Sequence, residues 1–130
     1  MKQEEECLCG AGDNIVMACS GSSDVGAISD KAARILHIAG KRKMNCLAVV
    51  GAGIEKSIIT FKTKDVLVID GCPIACGKRI LEQHGFSGFK HLVVTELGLK
   101  KGESPASDEN VLKVFNKALT TDNQAITTVL

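Results

Sequence analysis

Four short apolar runs rich in β-branched residues alternate along the chain with longer segments of helical period. The runs cover residues 14–18, 45–50, 65–69 and 91–95. Between the first two, apolar residues recur every three or four positions, which places them on one face of a helix: Ile28, Ala32, Ile35 and Ala39. This alternation is typical of a parallel sheet with helices packed on both faces. We therefore predict a three-layer, doubly wound α/β fold of the Rossmann-like type, with a mainly parallel four-stranded sheet.

The length of the chain fits a single domain. A chain of 130 residues can bury about two-thirds of its surface, which is enough to fold without disulfides or metal. Three consecutive glutamates, Glu4 to Glu6, indicate a flexible acidic arm over residues 1–13. We place the α/β domain at residues 14–122 and a loosely attached tail at residues 123–130.

The composition argues against nucleic acid and membrane as partners. The formal net charge is +1, and the chain has no Trp, no Tyr and four Phe, so it offers neither a basic field nor a base-stacking surface. No apolar run reaches the roughly 18 residues that a membrane span needs, and the acidic start is unlike a signal peptide. We expect a cytoplasmic protein whose partners are a metal ion and a small-molecule ligand.

The six cysteines point to metal binding, redox chemistry or core packing in a reducing compartment. Cys19 follows the first run and Cys72 follows the third; if the sheet places these two strands side by side, their ends lie about 4.8 Å apart. Pro73 suits the first position of a helix running to His84, which would put Cys72 and Cys76 one turn apart on the same face. The pattern thus predicts three thiols at the carboxyl rim of the sheet, where helix N-termini lower the thiol pKa.

Clustered thiols without a redox spacing favour a soft tetrahedral ion, and zinc is the first choice. Three protein ligands leave one position open to water or a small molecule, whereas four ligands close the site. Two alternatives use the same thiols: an iron–sulfur cluster, or a redox disulfide between Cys72 and Cys76. A further hypothesis is phosphate binding or phosphatase-like chemistry in the small-residue loop 20–26, although this loop contains Asp24 and no arginine.

Four segments of the chain resemble the DGC-domain family, which is named for its Asp-Gly-Cys motif. The similarity runs from about Asn14 to Lys101, and its most specific part is the octapeptide that ends at Cys76. This chain has Val49-Val50 where the family commonly has a glycine. The resemblance implies a small cytoplasmic zinc-binding protein with four cysteine ligands, which in this chain are Cys19, Cys46, Cys72 and Cys76. The matching segments are Cys19-Ser20-Gly21, Cys46-Leu47-Ala48, Ile69-Asp70-Gly71-Cys72-Pro73-Ile74-Ala75-Cys76 and Val93-Val94-Thr95-Glu96-Leu97-Gly98.

Cys46 is the residue at which the strand pattern and the resemblance disagree. At the start of a strand over residues 45–50, its sulfur would lie roughly 13 Å below the rim, at about 3.3 Å per residue. Either Cys46 lies in a loop, or it is a core cysteine and the fourth ligand comes from elsewhere. The other candidate donors are a water molecule, Asp70, Asp24, Cys7 and Cys9. We expect the three histidines to be structural and to lie away from the rim: His37, His84 and His91.

Overall fold

The computed structural model describes residues 12–129, with side chains described up to Asp122. Cys7, Cys9 and most of the predicted acidic arm lie outside the described residues. The elements in chain order are β1 (Asn14–Ala18), α1 (Asp24–Ile38), β2 (Lys43–Met44), α2 (Leu47–Gly51), α3 (Glu55–Phe61), β3 (Asp65–Asp70), α4 (Cys76–Gln83), β4 (Lys90–Val93), a 3₁₀ turn (Val94–Leu97) and α5 (Asp108–Val129). The last helix continues past residue 122, where the sequence places the end of the domain.

The four strands form one parallel sheet in the order β2-β1-β3-β4. The chain leaves β1 towards β2 at one edge and then returns across β1 to β3, so the order reverses between β1 and β3. Such a reversal leaves a crevice at the carboxyl ends of the two strands, where ligands bind in open α/β sheets. The register pairs Ala18 with Ile69, which brings the ends of β1 and β3 side by side.

Alternate residues of the central strands point to opposite faces of the sheet, and each face carries its own apolar cluster. One cluster joins Val16 and Leu67 to α1 and α5. The other joins Met17 and Val68 to α2, α3 and α4. The predicted three-layer α/β fold with helices on both faces is therefore confirmed. Within the described residues, no helix has the length and apolarity that crossing a membrane would require.

Two predicted element boundaries next to the rim cysteines are wrong. The strand predicted over residues 45–50 is not formed. The strand β2 lies earlier, at Lys43–Met44, and α2 occupies Leu47–Gly51. A short apolar run does not distinguish a buried strand from a helix turn. Here Leu47 and Val50, three residues apart, both face the second cluster, as a helix requires.

The helix predicted from Pro73 begins at Cys76 instead. Pro73 and Ile74 form a turn, and Ala75 adopts a left-handed conformation with φ 55° before the helix starts. A proline is compatible with a tight turn as well as with the first helical position, so its presence alone did not fix the start of the helix.

Candidate functional site

Cys19 lies at the point where the strand order reverses. Its backbone N–H donates to the carbonyl oxygen of Ile69 at 2.9 Å, which extends the pairing of β1 with β3 by one residue. Its own carbonyl oxygen accepts a hydrogen bond from the Ser29 hydroxyl of α1. Gly21 folds back towards the thiol, since a Cβ atom built on it would lie 3.6 Å from the Cys19 sulfur. The fold therefore fixes the backbone of this half-buried cysteine at the rim.

Asp70 ends β3 and is buried, yet its carboxylate is fully engaged. It accepts hydrogen bonds from the backbone N–H groups of Gly77 at 2.7 Å and Lys78 at 3.1 Å, and it lies 2.8 Å from Nε2 of His91. The carboxylate thus caps the start of α4 from the neighbouring strand, and its negative charge interacts favourably with the positive end of the helix dipole. Its role in the structure is to hold α4 against the sheet end.

Gly71 is required by a close approach between two chain segments. A Cβ atom at this position would lie 2.8 Å from the carbonyl carbon of Val25 and 2.8 Å from the backbone nitrogen of Gly26. Because atoms at that distance overlap, only glycine lets the end of β3 pass the start of α1. The Asp-Gly pair therefore positions the cysteine that follows it.

Cys72 and Cys76 do not share a helix face, so this prediction is wrong. The backbone N–H of Ala75 donates to the carbonyl oxygen of Cys72 at 3.0 Å, which closes a turn between the two cysteines. Cys72 is half-buried and packs against the cluster between the sheet, α1 and α5. Cys76 is exposed at the first position of α4. The turn thus directs the two side chains into different surroundings.

Cys46 lies in the loop after β2, at the N-cap of α2, and it is exposed. The N–H of the preceding Asn45 donates to the carbonyl oxygen of Val16 at 2.9 Å, so strand pairing ends one residue before Cys46. Because β2 ends at Met44, Cys46 is at the carboxyl rim and not 13 Å below it. Of the two positions left open by the sequence, the loop position is confirmed and the core position is wrong.

A cavity of about 810 Å³ opens at this rim, between α1 and the starts of α2 and α4. Cys19, Cys46 and Cys76 all line it, and Cys72 is not among its lining residues. Among the residues that the structure describes, no three cysteine, histidine or acidic side chains already form a group able to hold an ion.

The pKa of the Cys19 thiol is shifted in the direction opposite to the one expected. Burial raises its pKa, and the negative charges of Asp70, Cys76 and Cys72 raise it further, against a lowering hydrogen bond from the backbone of Gly21. The prediction that helix N-termini lower the thiol pKa is therefore wrong for this residue.

A family model described as the DGC domain matches residues 15–118, a span that includes the Asp-Gly-Cys triplet and all four rim cysteines. The chain belongs to the DGC-domain family. It is also 35% identical over 88 residues to the anaerobic and virulence modulator AnvM of Pseudomonas aeruginosa, and the match covers 67% of each chain. No solved structure matches the chain. The resemblance that the sequence predicted is confirmed.

In this DGC domain the alternative carboxylate donors already have hydrogen-bond partners. Besides Asp70, Asp24 accepts hydrogen bonds from the backbone N–H groups of Val25 at 2.8 Å, Gly102 at 2.9 Å and Ser104 at 3.1 Å. These bonds, with that from Gly102 the largest, lower the pKa of Asp24. The hydroxyl of Ser23 accepts the N–H of Gly26 at 3.1 Å. The backbone N–H groups of Val25 and Gly26, which could otherwise bind a phosphate in loop 20–26, therefore already donate to protein side chains.

Sequence reasoning missed a polar helix face on the DGC domain. Asp30, Arg34 and His37, spaced four and three residues apart on α1, all line the cavity. That spacing is the signal that would have found them, because such residues share one side of a helix. The expectation that the histidines lie away from the rim is wrong for His37, which lines the cavity, and for His91, which contacts Asp70.

Proposed function

We propose that this DGC domain binds a zinc ion at the carboxyl rim of its sheet, through the thiolates of Cys19, Cys46, Cys72 and Cys76. One observation carries the proposal: Cys19, Cys46 and Cys76, which are distant in the sequence, line the same cavity. Thiolates are soft ligands, and clusters of three or four suit zinc in tetrahedral coordination. The donor set therefore fits the ion chemically.

The charges around Cys19 support a cation as the ligand. Asp70 opposes a negative charge on this thiol, and Cys72 and Cys76 do so when they are ionised. A divalent cation among them would offset that repulsion and favour the thiolate forms, with release of the thiol protons to solvent. A cytoplasmic location is part of the proposal, because a reducing compartment keeps the thiols free to bind metal.

Each cysteine would contribute differently to binding. Cys19 has a fixed backbone, held by Ile69 and Ser29. Cys46 and Cys76 are exposed, so their side chains can rotate towards an ion without displacing packed neighbours. Cys72 is half-buried against the core and has less freedom. If all four thiolates reach the zinc ion, its tetrahedral coordination shell is complete. If three do, the fourth position is open to a water molecule or a ligand, which the ion would activate.

The test is zinc analysis of the full chain, purified under reductant, with each cysteine changed singly to serine. We expect about one zinc per chain in the unchanged protein and loss of zinc in Cys19→Ser, Cys46→Ser and Cys76→Ser. Cys7→Ser and Cys9→Ser are matched controls, because they remove a thiol elsewhere in the chain, and both should retain zinc.

Three outcomes would contradict the zinc proposal. A zinc-free chain with a disulfide between Cys72 and Cys76 would favour redox chemistry. Iron content with absorption at about 400 nm would favour an iron–sulfur cluster. Loss of zinc in Cys7→Ser or Cys9→Ser would move the site to the N-terminal arm.

A further inference from the structure

The cavity at the rim has the size and walls of a small-molecule site. Its volume of about 810 Å³ falls within the range of roughly 300–1,000 Å³ that such sites occupy. Beyond the thiols, much of its wall is apolar and comes from four different elements: Ile38 of α1, Met44 of β2, Leu47 of α2 and Ile80 of α4. Because the sheet and three helices build it together, the cavity is formed by the fold and not by one loop.

The charged residues of the cavity neutralise each other. Arg34 and Asp30 both line it, and their side chains form an ion pair at 2.8 Å within one turn of α1. Asp30 also accepts a hydrogen bond from the hydroxyl of Ser20 at 2.8 Å. A charged ligand would have to compete with this pair for its partner, so the lining favours an uncharged ligand.

His37 supplies a directional polar contact on the cavity wall. Its Nδ1 accepts the backbone N–H of Met44 at 2.9 Å. A ring nitrogen accepts only when it carries no proton, so the neutral ring carries its proton on Nε2. No hydrogen bond to Nε2 occurs among the described residues. This N–H is suited to a carbonyl oxygen of a ligand.

We propose that the cavity binds an uncharged, mainly apolar small molecule that carries a carbonyl oxygen. The apolar body lies against Ile38, Met44, Leu47 and Ile80, and the oxygen accepts the N–H of His37. The binding is non-covalent and does not require that the thiols hold a metal ion. It can therefore succeed or fail independently of the zinc proposal.

The test is an NMR titration of the ¹⁵N-labelled full chain, with reductant and a chelator present, using three probes of similar shape. The probes are 1-acetonaphthone, which has a carbonyl group, 1-ethylnaphthalene, which lacks the oxygen, and 1-naphthoate, which is charged. We expect the ketone to shift the amides of Ile38, Met44 and Leu47. It should bind about tenfold more tightly than the hydrocarbon, as one hydrogen bond allows, and more tightly than the carboxylate.

Two surface variants of matched chemistry locate the site. Ile38 is 82% exposed and lines the cavity, whereas Ile59 is 59% exposed on α3 and does not line it. Both can accept an aspartate without loss of core packing. Ile38→Asp should weaken ketone binding at least about tenfold, because a charge then faces the apolar body, and Ile59→Asp should leave it unchanged.

A third variant tests the polar contact. His37→Phe should lower the affinity for the ketone to that for the hydrocarbon and leave hydrocarbon binding in place, which shows that the cavity is intact. The proposal is overturned if no probe binds, if the carboxylate binds as tightly as the ketone, or if Ile38→Asp binds the ketone normally. It is also overturned if the shifted amides lie away from the cavity.

Discussion

Gly77 shows at the scale of one residue how closely α4 packs on the end of β3. A Cβ atom at this position would lie 2.6 Å from Cγ2 of Val68 and 2.8 Å from Oδ1 of Asp70. Since neither the buried valine nor the capping carboxylate can move freely, the helix would have to shift away from the strand. The N–H groups that Asp70 caps would move with it.

We predict that Gly77→Ala lowers the free energy of unfolding by roughly 2 kcal/mol, the usual cost of overpacking a tight contact. The measurement is the urea midpoint of the metal-free chain. Gly51→Ala is the control, because its added Cβ meets only Cδ1 of Ile80, at 3.7 Å. That variant should leave stability unchanged or raise it by about 0.5 kcal/mol through helix propensity. Equal effects of both substitutions would contradict the packing argument.

The Asp-Gly-Cys triplet also shows what sequence reasoning reaches at this scale. Its position at the carboxyl rim followed from the apolar run before it, and the structure places it there. The role of Asp70 did not follow, because its hydrogen-bond partners are seven, eight and 21 residues away along the chain. Such contacts appear only when α4 and β4 are in place, so the sequence left Asp70 open as a metal ligand.

At the scale of elements, Asp24 ties the start of α1 to the loop between the 3₁₀ turn and α5. The N–H groups of Gly102 and Ser104 both donate to its carboxylate. These bonds lower the pKa of Asp24, so the carboxylate is more acidic in the folded chain than in the unfolded chain. At pH values above the ordinary carboxyl pKa of about 3.9, the ionised carboxylate keeps its hydrogen bonds to the loop. These bonds are lost as the pH falls through the lowered pKa of Asp24.

We predict that Asp24→Asn decreases the hydrogen-exchange protection of Gly102 and Ser104 several-fold at neutral pH, because an amide oxygen is a weaker acceptor than a carboxylate. The unchanged chain should lose the same protection only under acidic conditions. Asp30→Asn is the control, since Asp30 bonds to Arg34 and Ser20 and makes no hydrogen bond to the loop before α5. Unchanged protection of Gly102 and Ser104 in Asp24→Asn would contradict the proposed role of these hydrogen bonds in holding the loop.

Arg42 ties three elements together at the opposite end of the sheet. It is 1% exposed, and its Nη1 donates to the carbonyl oxygens of Ile15 and Asp65, each at 2.9 Å. Its Nη2 donates to the carboxylates of Asp65 and Asp122, each at 2.8 Å. Burial raises the pKa of Asp122, but the hydrogen bonds and charges of Arg42 and Lys90 outweigh it and lower the pKa. The guanidinium thus joins β1, β3 and α5.

We predict that Arg42→Ala destabilises the chain by roughly 3 kcal/mol, because it removes a buried side chain and its hydrogen bonds to the carbonyl oxygens of Ile15 and Asp65, and leaves only Lys90 beside the two carboxylates. Arg34→Ala is the matched control. Arg34 forms an exposed ion pair within one helix, and its loss should cost no more than about 0.5 kcal/mol. Chemical denaturation of the two variants measures both effects, and a small effect of Arg42→Ala would contradict a stabilising role for this guanidinium.

The errors in the element prediction have a common physical origin. The parallel sheet and the helix layers follow from alternating patterns over many residues, and these were predicted correctly. The boundaries near Cys46 and Cys76 depend on two or three residues each, where a strand, a turn and a helix start are close in energy. Contacts made by Leu47 and Val50 with the second cluster, and by Asp70 with α4, decide between them. Local sequence does not contain those contacts.

At the scale of the whole molecule, the core is supplied by both faces of one sheet. Among the residues whose side chains the structure describes, fifteen buried residues form the cluster on the α1 and α5 side, and eight form the cluster on the other side. None of the rim cysteines is fully buried within either cluster. The apolar core is thus complete without a metal ion, which separates folding from metal binding.

We predict that the reduced, chelator-treated chain stays folded and unfolds cooperatively on heating. Zinc present at about one hundred times its dissociation constant should then add about 2.7 kcal/mol of stability by mass action. Circular dichroism melts with and without zinc measure both quantities, and Cys19→Ser is the control that should show no zinc-dependent shift. A chain that is unfolded without metal would contradict the separation of folding from binding.

The central claim is that thiolates from the ends of three strands share one zinc ion. X-ray absorption at the zinc edge, on the full chain loaded with one equivalent of zinc, tests it most directly. The account predicts a first shell of three or four sulfurs at about 2.3 Å. A shell of nitrogen and oxygen at about 2.0–2.2 Å, or zinc that washes off the unchanged chain, would contradict it.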